Sequence, residues 1–220
     1  MYYILLTLFL VFNCNQFQSN NTEKIIIDIE KGEIGHYSYE FWKEYGQASM
    51  TLKEDGKFSC SWESMMDAIC RIGKRWKNFS NTYEEIGNIK ANFEFDYESK
   101  GTIYLSIYGW TRKPLVEYYI LENWEGELPS TTSFGTISVD GGTYDMYKVT
   151  ITQYEGEPIT QLWSIRNEKR KSGTVSVNKH FETWEKYGFK LGKLYEVTLC
   201  VEGIRGTGQA SISKNEIIIE

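Results

Sequence analysis

From residue 25 to the C-terminus, apolar and polar side chains alternate in short runs separated by turn residues. Ile25-Ile-Ile-Asp-Ile, Lys57-Phe-Ser-Cys-Ser-Trp, Ile103-Tyr-Leu-Ser-Ile-Tyr, Gly135-Thr-Ile-Ser-Val, Thr174-Val-Ser-Val and Val197-Thr-Leu-Cys-Val are such runs. A period of two places successive side chains on opposite faces, the mark of a β-strand. Glu54-Asp-Gly, Asp140-Gly-Gly and Gly206-Thr-Gly punctuate the runs as tight turns. Many strands at short spacing predict an all-β antiparallel sandwich or barrel. One segment follows another rhythm. Phe181, Trp184 and Tyr187 recur every three positions between Asn178 and Tyr187, with Gly188 as a stop, which predicts a single amphipathic helix packed on the sheets.

Two of the apolar runs carry a carboxylate. Glu117 sits in Leu-Val-Glu-Tyr-Tyr-Ile and Glu202 in Leu-Cys-Val-Glu-Gly-Ile. A glutamate in a strand ordinarily lies on the solvated face of the alternation. Glu117, however, shares its face with Leu115 and Tyr119, while Val116, Tyr118 and Ile120 fill the other, so neither face is polar. A carboxyl group drawn into such a sheet has to be neutralised, paired or held for chemistry.

The N-terminus differs from everything after it. Residues 1–19 hold an apolar run from Ile4 to Phe12 ahead of polar Asn13-Cys-Asn, too short to span a bilayer and read as a secretory signal. Residues 20–220 then form one domain, with no repeat or linker, exported and not membrane-bound. A net charge of −6 disfavours nucleic acid as a partner. Two histidines leave little for a zinc site or an activated thiol, so no metal is expected. Outside the signal lie Cys60, Cys70 and Cys200; an exported chain favours one disulfide, with Cys60 and Cys70 the nearer pair and Cys200 left buried. Sixteen Tyr and seven Trp either fill sheets or stack on sugar rings, and composition leaves both open.

Several ordered stretches resemble the glycoside hydrolase family 11 endo-β-1,4-xylanases. They are Tyr39-Glu-Phe-Trp-Lys-Glu, Phe58-Ser-Cys-Ser-Trp, Tyr108-Gly-Trp-Thr-Arg-Lys-Pro-Leu-Val-Glu-Tyr-Tyr-Ile, Ser138-Val-Asp-Gly-Gly-Thr-Tyr-Asp-Met-Tyr, Gln161-Leu-Trp-Ser-Ile-Arg and Leu199-Cys-Val-Glu-Gly, spread over roughly residues 35–213. The resemblance implies a jelly roll of two twisted antiparallel sheets with a concave cleft and one α-helix. It implies Glu117 as nucleophile and Glu202 as acid/base of a retaining hydrolase of internal xylan bonds, whose carboxyl groups stand about 5–5.5 Å apart. Asp67 falls where the family carries Asn or Asp beside the acid; an Asp there goes with an acidic pH optimum, although a capping aspartate is an equal reading.

The same likeness, with strand parity, places Tyr104, Tyr108 and Trp110 on one face and Tyr119 beside Glu117. It has Arg112 holding Glu117 ionised, Gln161 hydrogen-bonding near the nucleophile with Trp163 close by, and Trp42 stacking on the next sugar. Core packing is the competing role for Trp42 and Trp110. Xylan or a xylo-oligosaccharide is the implied ligand, with no cofactor and a monomeric chain. The chain departs from the family in one hairpin. Thr150-Ile-Thr-Gln-Tyr-Glu-Gly-Glu-Pro-Ile-Thr is about five residues shorter than the family's thumb and lacks its Pro-Ser-Ile tip. A family arginine becomes Ile151 and a tyrosine becomes Ile204. A reduced lid implies weaker substrate positioning. A xylan-binding protein without effective hydrolysis, and a transglycosylase, therefore stand as alternatives on the same scaffold.

Overall fold

The computed structural model describes residues 23–152 and 158–220. The expected export signal at 1–19 lies outside the described residues, as does the hairpin tip at 153–157. Thirteen strands follow in order: β1 (Lys24–Ile26), β2 (Glu30–Ile34), β3 (Tyr37–Glu44), β4 (Gln47–Leu52), β5 (Phe58–Arg75), β6 (Ile89–Arg112), β7 (Val116–Glu125), β8 (Gly135–Val139), β9 (Gly142–Ile151), β10 (Ile159–Arg166), β11 (Ser172–Ser176), β12 (Lys193–Leu194) and β13 (Glu196–Ile219). A one-turn helix, α1 (Tyr83–Ile86), and a longer one, α2 (Val177–Lys186), complete the described elements besides a short 3₁₀ turn.

Three long strands organise everything else. The first half of β5, the second half of β13 and the first half of β6 pair with one another and with β4, β1 and β11 to make one layer. Their opposite halves make the second layer, continued by β3 and β2 on one side and by β7, β10, β9 and β8 on the other. Register shifts in β13 around Thr207 mark where it passes from layer to layer. Extra residues at such points bend a strand and increase its twist. Every ladder is antiparallel except β7 with β10, which runs parallel.

Burial along the strands shows what each layer covers. In the first half of β6, Ile89, Ala91, Phe93 and Phe95 are buried while the residues between them meet solvent more. From Thr102 to Gly109 every residue is buried on either face. The same holds for Glu196 to Gly203 in β13 and Val116 to Asn123 in β7. These doubly covered stretches lie side by side in the second layer. One face joins the interlayer core with Ile72, Tyr118 and Leu199; the other carries a second cluster of Tyr104, Tyr108, Tyr119, Leu121, Trp163, Ile165 and Cys200.

α2 starts one residue before the expected position and stops before Gly188, whose φ of +90° favours glycine. Its Phe181 and Trp184 are fully buried, with Phe181 edge-on to both Tyr118 and Tyr83. α1 is closed by reciprocal hydrogen bonds between Thr82 and Glu85. The disulfide expected between Cys60 and Cys70 is corrected: both are free and buried, as is Cys200. Cys60 comes from the first half of β5 and Cys70 from the second, and both are buried in the interlayer core. They pack there as small hydrophobes.

Trp184 is the largest side chain buried between helix and sheet, so Trp184→Ala is expected to lower stability by about 3–5 kcal/mol. Urea unfolding followed by circular dichroism measures it, and a loss within 1 kcal/mol (about a fifth of the expected upper value) would show that α2 contributes little to the core.

Candidate active site

The two glutamates singled out by their apolar surroundings line one cleft, of about 620 Å³, on the open face of the second layer. Glu117 projects from β7 opposite Trp110, and Glu202 from β13 between Ile69 and Tyr104. Gly203 explains why Glu202 is followed by glycine. It faces the core, and a Cβ there would come within 2.5 Å of the Trp62 indole. The strand thus presents a carboxyl to the cleft and bare backbone to the core.

Five glutamates are buried among the described residues: Glu40, Glu117, Glu122, Glu196 and Glu202. Three are answered by cations. Glu122 receives Arg170 and the Tyr144 hydroxyl. Glu40 and Glu196 share Arg71 and Arg75, with Lys31 also on Glu40 at 2.8 Å. Glu117 and Glu202 have no ion pair among the described residues.

Glu117 is met by three neutral donors. Tyr108 Oη donates to Oε1 at 2.6 Å, Tyr119 Oη to the same oxygen at 3.2 Å, and Gln161 Nε2 to Oε2 at 2.7 Å. Each donor is itself held. Trp110 Nε1 donates to the Tyr108 hydroxyl at 2.7 Å. Trp163 Nε1 donates to Gln161 Oε1 at 3.2 Å, which fixes the amide so that its nitrogen faces Glu117. Tyr119 stacks on Trp163 with ring centroids 3.8 Å apart and planes 2° apart. Donors without acceptors suit a carboxylate anion.

Glu202 is placed to keep its proton. Burial raises its pKa well above the usual carboxyl range, and the neighbouring charges of Asp67 and Glu117 raise it further, against the nearby Tyr119 hydroxyl and the positive field of Arg71. Asp67 also lines the cleft, and its carboxyl is pushed up to about 7 by burial and by Glu44 and Glu117. Asp67 and Glu202 each keep one buried oxygen without a partner. The capping role is absent: Asp67 lies within β5.

The remaining expected residues divide. Trp42 and Trp110, both half-buried, line the cleft. Tyr104 and Trp163 lie beneath it in the floor cluster, with the Tyr104 hydroxyl tied to the carbonyl of Glu127. Arg112 lines the cleft but makes no hydrogen bond or ion pair to Glu117; its guanidinium lies over the rings of Phe79 and Tyr195 instead. The cation near Glu117 is Arg71, whose guanidinium stands 4.7 Å from the ring of Tyr108. Sequence reading passed over Arg71, Glu40 and Glu196. Glu196, set between Tyr195 and Val197, carried the same signal that drew attention to Glu117.

The chain is also similar to known proteins along most of its length. The profile described as glycosyl hydrolases family 11 matches residues 34–213. An endo-1,4-beta-xylanase A of Thermoclostridium stercorarium is 47% identical over 201 residues, covering 89% of this chain and 31% of that protein. An endo-1,4-beta-xylanase A of Bacillus pumilus is 40% identical over 200 residues, covering 89% of this chain and 87% of that protein. The chain thus spans about a third of the first relative's length and most of the second's. The structure of the family 11 xylanase from Neocallimastix patriciarum superposes with a TM-score of 0.82 at 27% identity, covering 90% of this chain and all of that one. The matched segment contains both carboxyl groups, all of β7 and most of β13, and the chain belongs to glycosyl hydrolase family 11.

Proposed function

We propose that this chain is a secreted, monomeric endo-1,4-β-xylanase that works by retaining double displacement. The observation that carries the reading is the pair of buried carboxyl groups without cations on one cleft. One is surrounded by neutral donors and the other is kept protonated by burial and neighbouring charge. The relatives named as endo-1,4-beta-xylanases support xylan as the substrate.

In the first step Glu117 attacks the anomeric carbon of the xylose beside it while Glu202 passes its proton to the departing glycosidic oxygen. In the second, Glu202, now a base, takes a proton from water, which displaces the sugar from Glu117. The two hydroxyls and the amide on Glu117 set its direction of attack. Trp42 and Trp110 offer ring faces and edges to the chain of sugars. The hairpin of β9 and β10 closes with Ile151 opposite Ile159, so its described part ends in apolar residues at the cleft. A short lid of that kind limits hold on the substrate more than chemistry. The two-carboxyl reaction itself calls for no cofactor.

Three outcomes are expected. Incubation with a 2-fluoro xylobioside followed by peptide mass spectrometry places a covalent sugar on Glu117; xylan binding with neither adduct nor sugar release would favour a binding protein instead. Glu202→Gln lowers kcat on xylan by about 10²–10⁴-fold, as loss of a general acid does, with binding retained. Asp67→Asn moves the alkaline limb of the kcat/KM profile upward by about one pH unit. The sign follows from the coupling. With Asp67 present, the active form keeps a proton on Asp67 as well as on Glu202, and loss of the first, from a carboxyl pushed up to about 7, ends it. With Asn, no second proton is needed and the limb follows Glu202 alone, raised by burial and Glu117 but no longer by Asp67. A limb that stays or moves downward would separate Asp67 from the acid.

A further inference from the structure

Arg112 stands apart from the other arginines near the cleft. Arg71 and Arg75 are spent on Glu40 and Glu196. Arg112 has no carboxylate within ion-pair distance among the described residues, yet its position is built. Its guanidinium carbon lies 4.6 Å from the ring centre of Phe79 and 5.3 Å from that of Tyr195. A guanidinium laid against ring faces keeps its plane fixed and its N–H edge free, the geometry that receives a carboxylate with two parallel hydrogen bonds.

Charge along the cleft is divided. Glu117, Glu202, Asp67 and nearby Glu44 make the catalytic part acid-rich. Toward Tyr195 the cleft lining holds Lys31, Arg71 and Arg112; Glu40 pairs with the first two, and Arg112 is left without a carboxylate among the described residues. That local excess of cations belongs to a chain whose net charge is −6. An anionic group on a long substrate is repelled from the first region and drawn to the second.

We infer that Arg112, shelved on Phe79 and Tyr195, is a specificity residue that receives the carboxylate of a uronic acid branch on the xylan backbone. The inference rests on xylan as the substrate class. It makes Arg112 a reader of the side branch, not a partner of the nucleophile, and it explains why the guanidinium lines the cleft without touching Glu117.

The experiment compares a uronic-acid-branched xylo-oligosaccharide with its carboxyl-reduced form, which keeps the branch and loses only the charge. Glu202→Gln protein serves as the host so that the ligand survives, and calorimetry gives the two Kd values. The acidic ligand is expected to bind about five-fold more tightly, the scale of an exposed charge pair in good geometry. The preference should vanish on adding Arg112→Met, return in part with Arg112→Lys, and shrink as salt rises through the physiological range. Equal binding of the two ligands, or a preference that survives Arg112→Met, overturns the inference. Failure of the unmutated protein to hydrolyse any xylan, with the preference intact, would overturn the hydrolase reading and leave this one standing.

Discussion

A carboxyl group withdrawn from water must either find a cation or hold its proton, because an unanswered charge in an apolar sheet costs more than a fold of this size has in reserve. The second layer obeys this rule in two ways within a few strands. Glu122, Glu40 and Glu196 are neutralised by arginines. Glu202 is left without one and stays protonated. Glu117 sits between these cases, supplied with dipoles in place of a full charge. The division separates scaffold from chemistry more cleanly than burial does, since all five glutamates are buried.

The two sets are also joined. Arg71 binds Glu40 and Glu196 on one side and stands over the Tyr108 ring on the other, and Tyr108 donates to Glu117. A structural ion cluster thus backs the tyrosine that orients Glu117. Burial works against the Arg71 charge, but the surrounding carboxylates and Tyr108 hold its pKa above the usual arginine value, so the cation persists at every working pH. Its field also tempers the rise in the Glu202 pKa. The floor of the cleft depends in the same way on paired aromatics: Trp163 fixes both the Gln161 amide and the Tyr119 ring.

Much of this was legible in the chain. Alternation located the strands because one face of most of them is wet, and the three-residue rhythm of Phe181, Trp184 and Tyr187 located α2 because that helix buries a single stripe. Where β6, β7 and β13 are covered on both faces, alternation locates the strand but no longer says which face meets water, and the oddity of a glutamate among apolar residues is what stood out. That oddity is shared by Glu122 and Glu196, and distinguishing them requires knowing which arginine folds against them, which is a long-range fact. Arg112 illustrates the limit. Its place in the motif put it near the cleft, but not over Phe79, a residue 33 positions earlier. The cysteine pairing failed for a related reason, since compartment and spacing say nothing of how two thiols pack. The capping box of Thr82 and Glu85 could have been read, and announces α1.

The passage of β5, β6 and β13 through both layers bears on how the site is lost. β13 is laddered to β5 on one side and β6 on the other along most of its length, and Glu202 lies in the middle of that double ladder. A slip of one residue would turn Glu202 inward and press Gly203 into the cleft, while breaking both ladders at once. Glu202 is therefore held by the register of the whole sheet. No local loosening releases it, and disappearance of the site and melting of the fold become one event.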